Sequence, residues 1–167
     1  GVPDPSIIQD STVAQLVNVR VDNALDAGFA GIDFPADVFN PGSKVPGAID
    51  GRALGGSKIE NSDRGVLIVG DNATFTAQSS RFENNRVGVD ILNANLDADG
   101  SAFSGNQVAG IRVEGGMATA EITNSDFFDA TLDVLLSDNP TSFSVTDSNF
   151  DAVGTAIENQ TPGLGDV

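Results

Sequence analysis

The chain of 167 residues contains no cysteine, histidine, tryptophan or tyrosine. Without cysteine there are no disulfides, no thiolate metal ligands and no thiol nucleophile, and cysteine usage cannot report the redox compartment. Without histidine the usual proton shuttle of neutral pH is missing. Without tryptophan and tyrosine, only phenylalanine is left as a platform on which sugars or bases could stack. Cations are scarce too: 8 basic side chains face 24 acidic ones, for a formal charge of −16. Such a charge repels a phosphate backbone, so no nucleic acid partner is expected. It favours solubility in salty water and attracts cations, at the cost of self-repulsion at low ionic strength. No apolar run approaches the roughly eighteen residues that cross a bilayer, so no membrane-spanning helix is expected. The chain opens on Gly1 with neither an initiator methionine nor a basic-apolar leader, as a mature or excised product would.

What the chain does have is a repeat. A serine two places before a phenylalanine recurs as Ser80-Arg81-Phe82, Ser101-Ala102-Phe103, Ser125-Asp126-Phe127 and Ser148-Asn149-Phe150, at intervals of 21, 24 and 23 residues. Seven places before these rings stand Phe75, Leu96, Ala120 and Phe143, and two further on come Ala77, Ala98, Ile122 and Val145. With Ala73, Ala94, Ala118 and Thr141 nine places before, they form an alternating apolar set, which is the period of a strand with one buried face. After each ring a turn of variable length leads to a second alternating strand. We align these at Gly88-Val89-Asp90-Ile91, Gly110-Ile111-Arg112-Val113, Leu132-Asp133-Val134-Leu135 and Gly154-Thr155-Ala156-Ile157. Ser57, Ile59 and Gly65-Val66-Leu67-Ile68-Val69 fit an earlier coil, and Val17, Val19, Val21 with Phe29 to Phe34 a degenerate first one.

A coil of 21–24 residues cannot bury its apolar face alone. Stacked about 4.8 Å from the next, it pairs every strand in parallel and aligns equal positions into ladders. The rings then stack inside, the serines line a corner, and Asn85 falls on Asn106 with Ser62 below, where side-chain amides can satisfy turn backbone. The expected fold is therefore all-β: a right-handed parallel β-helix solenoid. The six-residue period of a left-handed β-helix and the regular leucines of a leucine-rich repeat are both missing. The motifs Ile122-Thr123-Asn124-Ser125-Asp126-Phe127 and Gly110-Ile111-Arg112-Val113 resemble the repeats of the pectin-lyase-like superfamily. The resemblance covers residues 49–160 well and 7–34 weakly. It implies the fold, and says little of activity, because such folds host lyases, hydrolases, tailspikes and adhesins alike.

The expected layout is one β-helix domain over residues 1–167, with an inserted loop at 35–56, rich in proline and glycine, and a terminal tail at 159–167. For chemistry, Asp97 and Asp99 alternate on one strand and project from one face, with Asp71 ahead of the equivalent strand one coil below. Calcium is the ion such oxygens would accept, although neither the EF-hand pattern nor the glycine-rich nonapeptide repeat is present. Arg64, Arg86 and Arg112 suggest a shallow basic column. With basic partners so few, no catalytic residue is expected, and the rings are assigned to the core. The expected function is structural or adhesive, extracellular or on a cell or virion surface. Its expected partners are further copies of the chain or neighbouring β-helix segments, in an oligomer or filament. The alternative is a polysaccharide-binding or polysaccharide-degrading fragment acting on glycans.

Overall fold

The computed structural model describes residues 12–32, 49–151 and 154–160, and among them there are eighteen strands and no helix. Three strands make one rung. The first rung holds β1 (Thr12–Val17), β2 (Arg20–Asp22) and β3 (Ala27–Ile32), and the second β4 (Ile49–Leu54), β5 (Lys58–Glu60) and β6 (Arg64–Val69). The third comprises β7 (Ala73–Gln78), β8 (Arg81–Glu83) and β9 (Val87–Leu92), and the fourth β10 (Asn95–Asp99), β11 (Ala102–Ser104) and β12 (Ala109–Glu114). The fifth has β13 (Thr119–Thr123), β14 (Asp126–Phe128) and β15 (Leu132–Ser137), and the sixth β16 (Ser142–Thr146), β17 (Asn149–Asp151) and β18 (Thr155–Asn159). Equivalent strands of successive rungs pair in parallel to form three six-stranded sheets, the parallel β-solenoid expected from the repeat.

The core is built from columns. Phe82, Phe103, Phe127 and Phe150 fall in register on the short strands of the second sheet, with ring centroids 5.0, 4.8 and 4.8 Å apart and nearly parallel planes. Phe75, Leu96 and Ala120 line the first sheet from within, and Val66, Val89, Ile111 and Val134 the third. Polar columns close the corners. Ser80, Ser101 and Ser125 are buried. The N–H of Ser80 donates to the hydroxyl of Ser101 at 3.2 Å, Ser101 to Ser125 at 3.3 Å and Ser125 to Ser148 at 3.1 Å. Each hydroxyl in turn donates to a carbonyl, as Ser101 does to that of Ala77. The amide of Asn85 accepts from the N–H of Ser62 and donates to the carbonyl of Ile59, and Asn106 does the same one rung on with Asn85 and Phe82. These asparagines bond to backbone rather than to one another, so buried polar groups of the turns are satisfied without water.

Glycine in the third sheet answers to these amides. A Cβ on Gly88 would lie 2.4 Å from the carbonyl oxygen of Gly110 and 3.1 Å from the Asn106 amide nitrogen, so no other residue fits. The turns demand left-handed backbone: the first corner uses Asn18, Gly55, Ser79, Gly100, Asn124 and Asp147 with φ of 48–63°. Asn, Asp and Gly tolerate that region best, and Ser79 is the exception.

Four expectations are corrected. The loop at 35–56 ends early, because Ile49–Leu54 is β4, in register with β7. An extra corner residue at Gly55-Gly56 shifts β4 by one against the seven-residue offset, and Gly51 stands where Phe75 stands above, which hid the strand. The tail at 159–167 loses its first residues to the solenoid, since Asn159 ends β18 and the N–H of Gln160 bonds the carbonyl of Leu136. Residues 35–48 and 161–167 lie outside the described residues. Val17, Val19 and Val21 do not share a strand, because Asn18 turns the corner between β1 and β2. Finally, the third-sheet strands align Gly88 with Gly110, Asp133 and Ala156, not with Leu132 and Gly154.

Phe103 has a ring on each side, whereas Phe150 is half-buried with one. Urea denaturation should show a loss of about 3–5 kcal/mol for Phe103→Ala and clearly less for Phe150→Ala. Ser79→Gly, which removes the left-handed strain at an exposed corner, should raise stability by about 0.5–1 kcal/mol.

Candidate functional site

Along β10 the side chains alternate, so Leu96 and Ala98 enter the core while Asn95, Asp97 and Asp99 face out. Asp97 and Asp99 thus share a face, as their spacing requires. Asp71 does not join them: it sits in the turn leading into β7. Asp99 accepts hydrogen bonds from the Thr123 hydroxyl and the Asn124 amide, both at 3.0 Å, and these two donors, Asn124 foremost, hold its carboxyl below the ordinary value. Asp97 meets a different neighbour. Its register partner on β13 is Glu121, and both are exposed. Parallel strands lie about 4.8 Å apart, so the pair presents two carboxylates to solvent from adjacent rungs. Asp97, Thr119, Glu121, Ser142 and Ser144 line an open depression of about 370 Å³ over Leu96 and Ala120. Glu121 was missed in the sequence because only the cross-rung register brings it beside Asp97. Among the described residues no group of three or more acidic side chains is placed to enclose a metal ion.

What this face offers chemically is a row of short acceptors and hydroxyls. Thr76, Asp97, Glu121 and Ser144 form one outward column, and Thr74, Asn95, Thr119 and Ser142 another beside it, linked where the Thr119 hydroxyl meets Asn95 at 2.6 Å. Such a surface can hydrogen-bond the hydroxyls of a polymer lying across the rungs.

The arginines form no single basic column. Arg64 stands in register with Val87 and Arg112 with Asp90, while Arg86 lies in the turn before β9. Each is matched by acid. Asp90, almost wholly buried on the outside of the third sheet, takes Arg112 Nε at 2.7 Å and lies 3.1 Å from Arg64 Nε, although that N–H is not aimed at it. One carboxylate thus ties the second rung to the fourth, and its hydrogen bonds raise the Arg112 pKa. Arg86 forks onto Asp63, which it holds below the ordinary carboxylate value. This pair, with Asn61, Ser62, Asn84 and Gln107, lines a second depression of about 360 Å³ at the turn between the second and third sheets.

Asp133 is the outlier. It occupies the place taken by Gly65, Gly88 and Gly110 in the rungs before it, and the asparagine column that crowds Gly65 and Gly88 has already given way to Ala130. Its side chain is buried and neither carboxylate oxygen has a hydrogen-bond partner. Burial, with Asp151 adding repulsion, pushes its pKa up to about 6. The sequence carried a signal for it, but only in the corrected alignment, where an aspartate interrupts a run of glycines.

The last rung differs from those inside. In β16–β18 the core-facing Phe143, Val145 and Phe150 are only partly buried and Ile157 is 42% exposed, whereas Phe127, Ile122 and Val134 one rung earlier are wholly buried. β16, β17 and β18 are also edge strands, as are β1, β2 and β3 at the other end of the described solenoid. No protein-family model, curated protein or solved structure matches the chain.

The raised pKa of Asp133 fixes the sign of a pH effect. The folded protein holds this proton more tightly than the unfolded chain, so its contribution is most favourable below about pH 4 and falls until about pH 6. Above that it is constant, and the loss amounts to about 3 kcal/mol at about 1.4 kcal/mol per unit. Asp133→Asn should lack this component, so urea curves at pH 4, 5, 6 and 7.5 should show the variant gaining on the parent as pH rises. A difference that stays the same at every pH would mean that the carboxyl is not perturbed.

Proposed function

We propose that this chain is a structural or adhesive β-helix module, a non-catalytic member of the pectin-lyase-like group, which works outside the cytoplasm, secreted or on a cell or virion surface. It joins a larger assembly through its open rungs. The observation that carries this reading is the sixth rung, where core-facing apolar side chains and three strand edges are left uncovered by any described residue. Exposed sheet edges template further strands, and a solenoid core ends in an apolar face that must be covered. The acidic exterior supports a role in saline surroundings, where salt screens repulsion between copies that each carry a charge of −16.

A second reading has its own observation: the solvent-facing pair Asp97 and Glu121 in their depression, beside a row of hydroxyls. It makes the first-sheet face a site for polysaccharides, bound or cleaved, with calcium carried between its carboxylates and those of an acidic glycan.

Light scattering and negative-stain electron microscopy separate the two. Association through the open rungs predicts oligomers or filaments that grow with protein concentration and with salt from about 20 to 500 mM, as screening requires. A monodisperse monomer throughout would sink it. The glycan reading predicts binding to, or release of reducing ends from, a panel of neutral and acidic polysaccharides, with calcium added and withheld. Asp97→Asn with Glu121→Gln should abolish that activity without changing the melting temperature.

A further inference from the structure

The end-association reading leaves open what sits on the sixth rung. We propose that it is a second copy of this chain, with the first rung (β1–β3) of one copy continuing in parallel register the sixth rung (β16–β18) of the copy before it. The inference rests on the reading above and adds the partner, its orientation and the residues that meet.

Three observations point to a head-to-tail contact. The first is the distribution of apolar exposure. Among the described residues, the large apolar ones most open to solvent are Val17, Val19, Leu25, Val108, Met117 and Ile157; three of these six belong to the first rung and one to the sixth. The second is the fit of the columns. Extending each column by one step sets Phe150 against Val21, Val145 against Leu16 and Ile157 against Phe29. All of these are apolar and only partly covered in the single chain, and each is of a size that its column already accepts, as Val21 accepts Ile59.

The third is charge. Among the described residues of the sixth rung the charged groups are Asp147, Asp151 and Glu158, with no cation, while the first rung carries Arg20 together with Asp22 and Asp26. On these short strands basic side chains already pair with an acid two positions along. Arg20 bonds Glu60 in the rung above, and Lys58 bonds Glu60 at 2.8 Å and Glu83 at 2.7 Å. In the junction Arg20 falls in the column of Asn149, so the acid two positions along, one rung below, is Asp151. Joining two sixth rungs would instead oppose three acids with three acids and bring no cation among them, whereas the head-to-tail junction brings Arg20 to them. Head-to-tail contacts do not close, so the product is a filament, its copies rising by six rung spacings, roughly 29 Å.

Cysteine cross-linking tests this directly, because the chain has no cysteine of its own. Gln15 and Ser144 are exposed, face outward in the same column of the first sheet, and take no part in the apolar or charged contacts of the junction. Across the junction they become neighbours at about 4.8 Å, within disulfide reach, whereas within one chain they are five rung steps apart. On mild oxidation Gln15→Cys and Ser144→Cys should each give no disulfide-linked species alone, form disulfide-linked heterodimers when mixed, and form a covalent ladder of multimers when combined in one chain. Disulfide homodimers of either single variant, or oligomers in solution with no cross-link in the mixture, would overturn the head-to-tail arrangement while leaving end association intact. A monomer by light scattering with no cross-link would overturn both.

Discussion

Everything in this structure depends on parallel hydrogen bonding between rungs. Once each strand pairs with its equivalent a rung away, every side chain has its nearest neighbours in its own column, about 4.8 Å above and below. A residue is then acceptable only if it suits the same place in the next rung. Flat rings suit one another at that spacing, which is why Phe82, Phe103, Phe127 and Phe150 stack nearly parallel. A serine hydroxyl suits a backbone N–H below and a carbonyl beside it. An asparagine suits the turn that it caps, and the glycine beside it follows, because the amide leaves no room for a Cβ.

The same constraint organises the charges. With few cations among many acids, the basic side chains are placed where one of them serves more than one rung: Arg64 and Arg112 converge on the buried Asp90, and Lys58 spans Glu60 and Glu83. A buried carboxylate held between two arginines is stable only while both remain, so these clamps enforce the register more than they add stability. The first sheet is different. Its outer face is largely hydroxyls, amides and acids, and among its described residues the one paired cation is Arg52 on Asp50.

Regularity fades toward the last rungs. The asparagine column stops at Ala130, the glycine column at Asp133, and the apolar columns end in the partly covered Phe143, Val145 and Ile157. A buried carboxylate with no partner sits one rung below the open edge. The solenoid is least self-sufficient where a further rung would lie, and that gives its end a chemical character as well as a shape. The unpartnered burial of Asp133 makes that end sensitive to protons.

The amino-acid sequence by itself determined the architecture, the period and the inward columns. Ser-x-Phe spaced at 21–24 residues and apolar alternation seven residues earlier are local signals, and stacking is the one way to bury them. It also placed Asp97 and Asp99 on a common face, since strand alternation alone decides that. It could not set the register across rungs, because turn lengths vary and a single corner residue, as at Gly55-Gly56, moves the strand before it by one. For that reason β4 looked like loop and Asp133 looked like an ordinary strand residue. Only the tertiary structure decided that Glu121 lies beside Asp97, that Asp133 is buried without a partner, that Arg64, Arg86 and Arg112 are taken up in ion pairs, and that no described residue covers the sixth rung. These are relations between residues some twenty positions apart, and they exist only after each coil has found its neighbour.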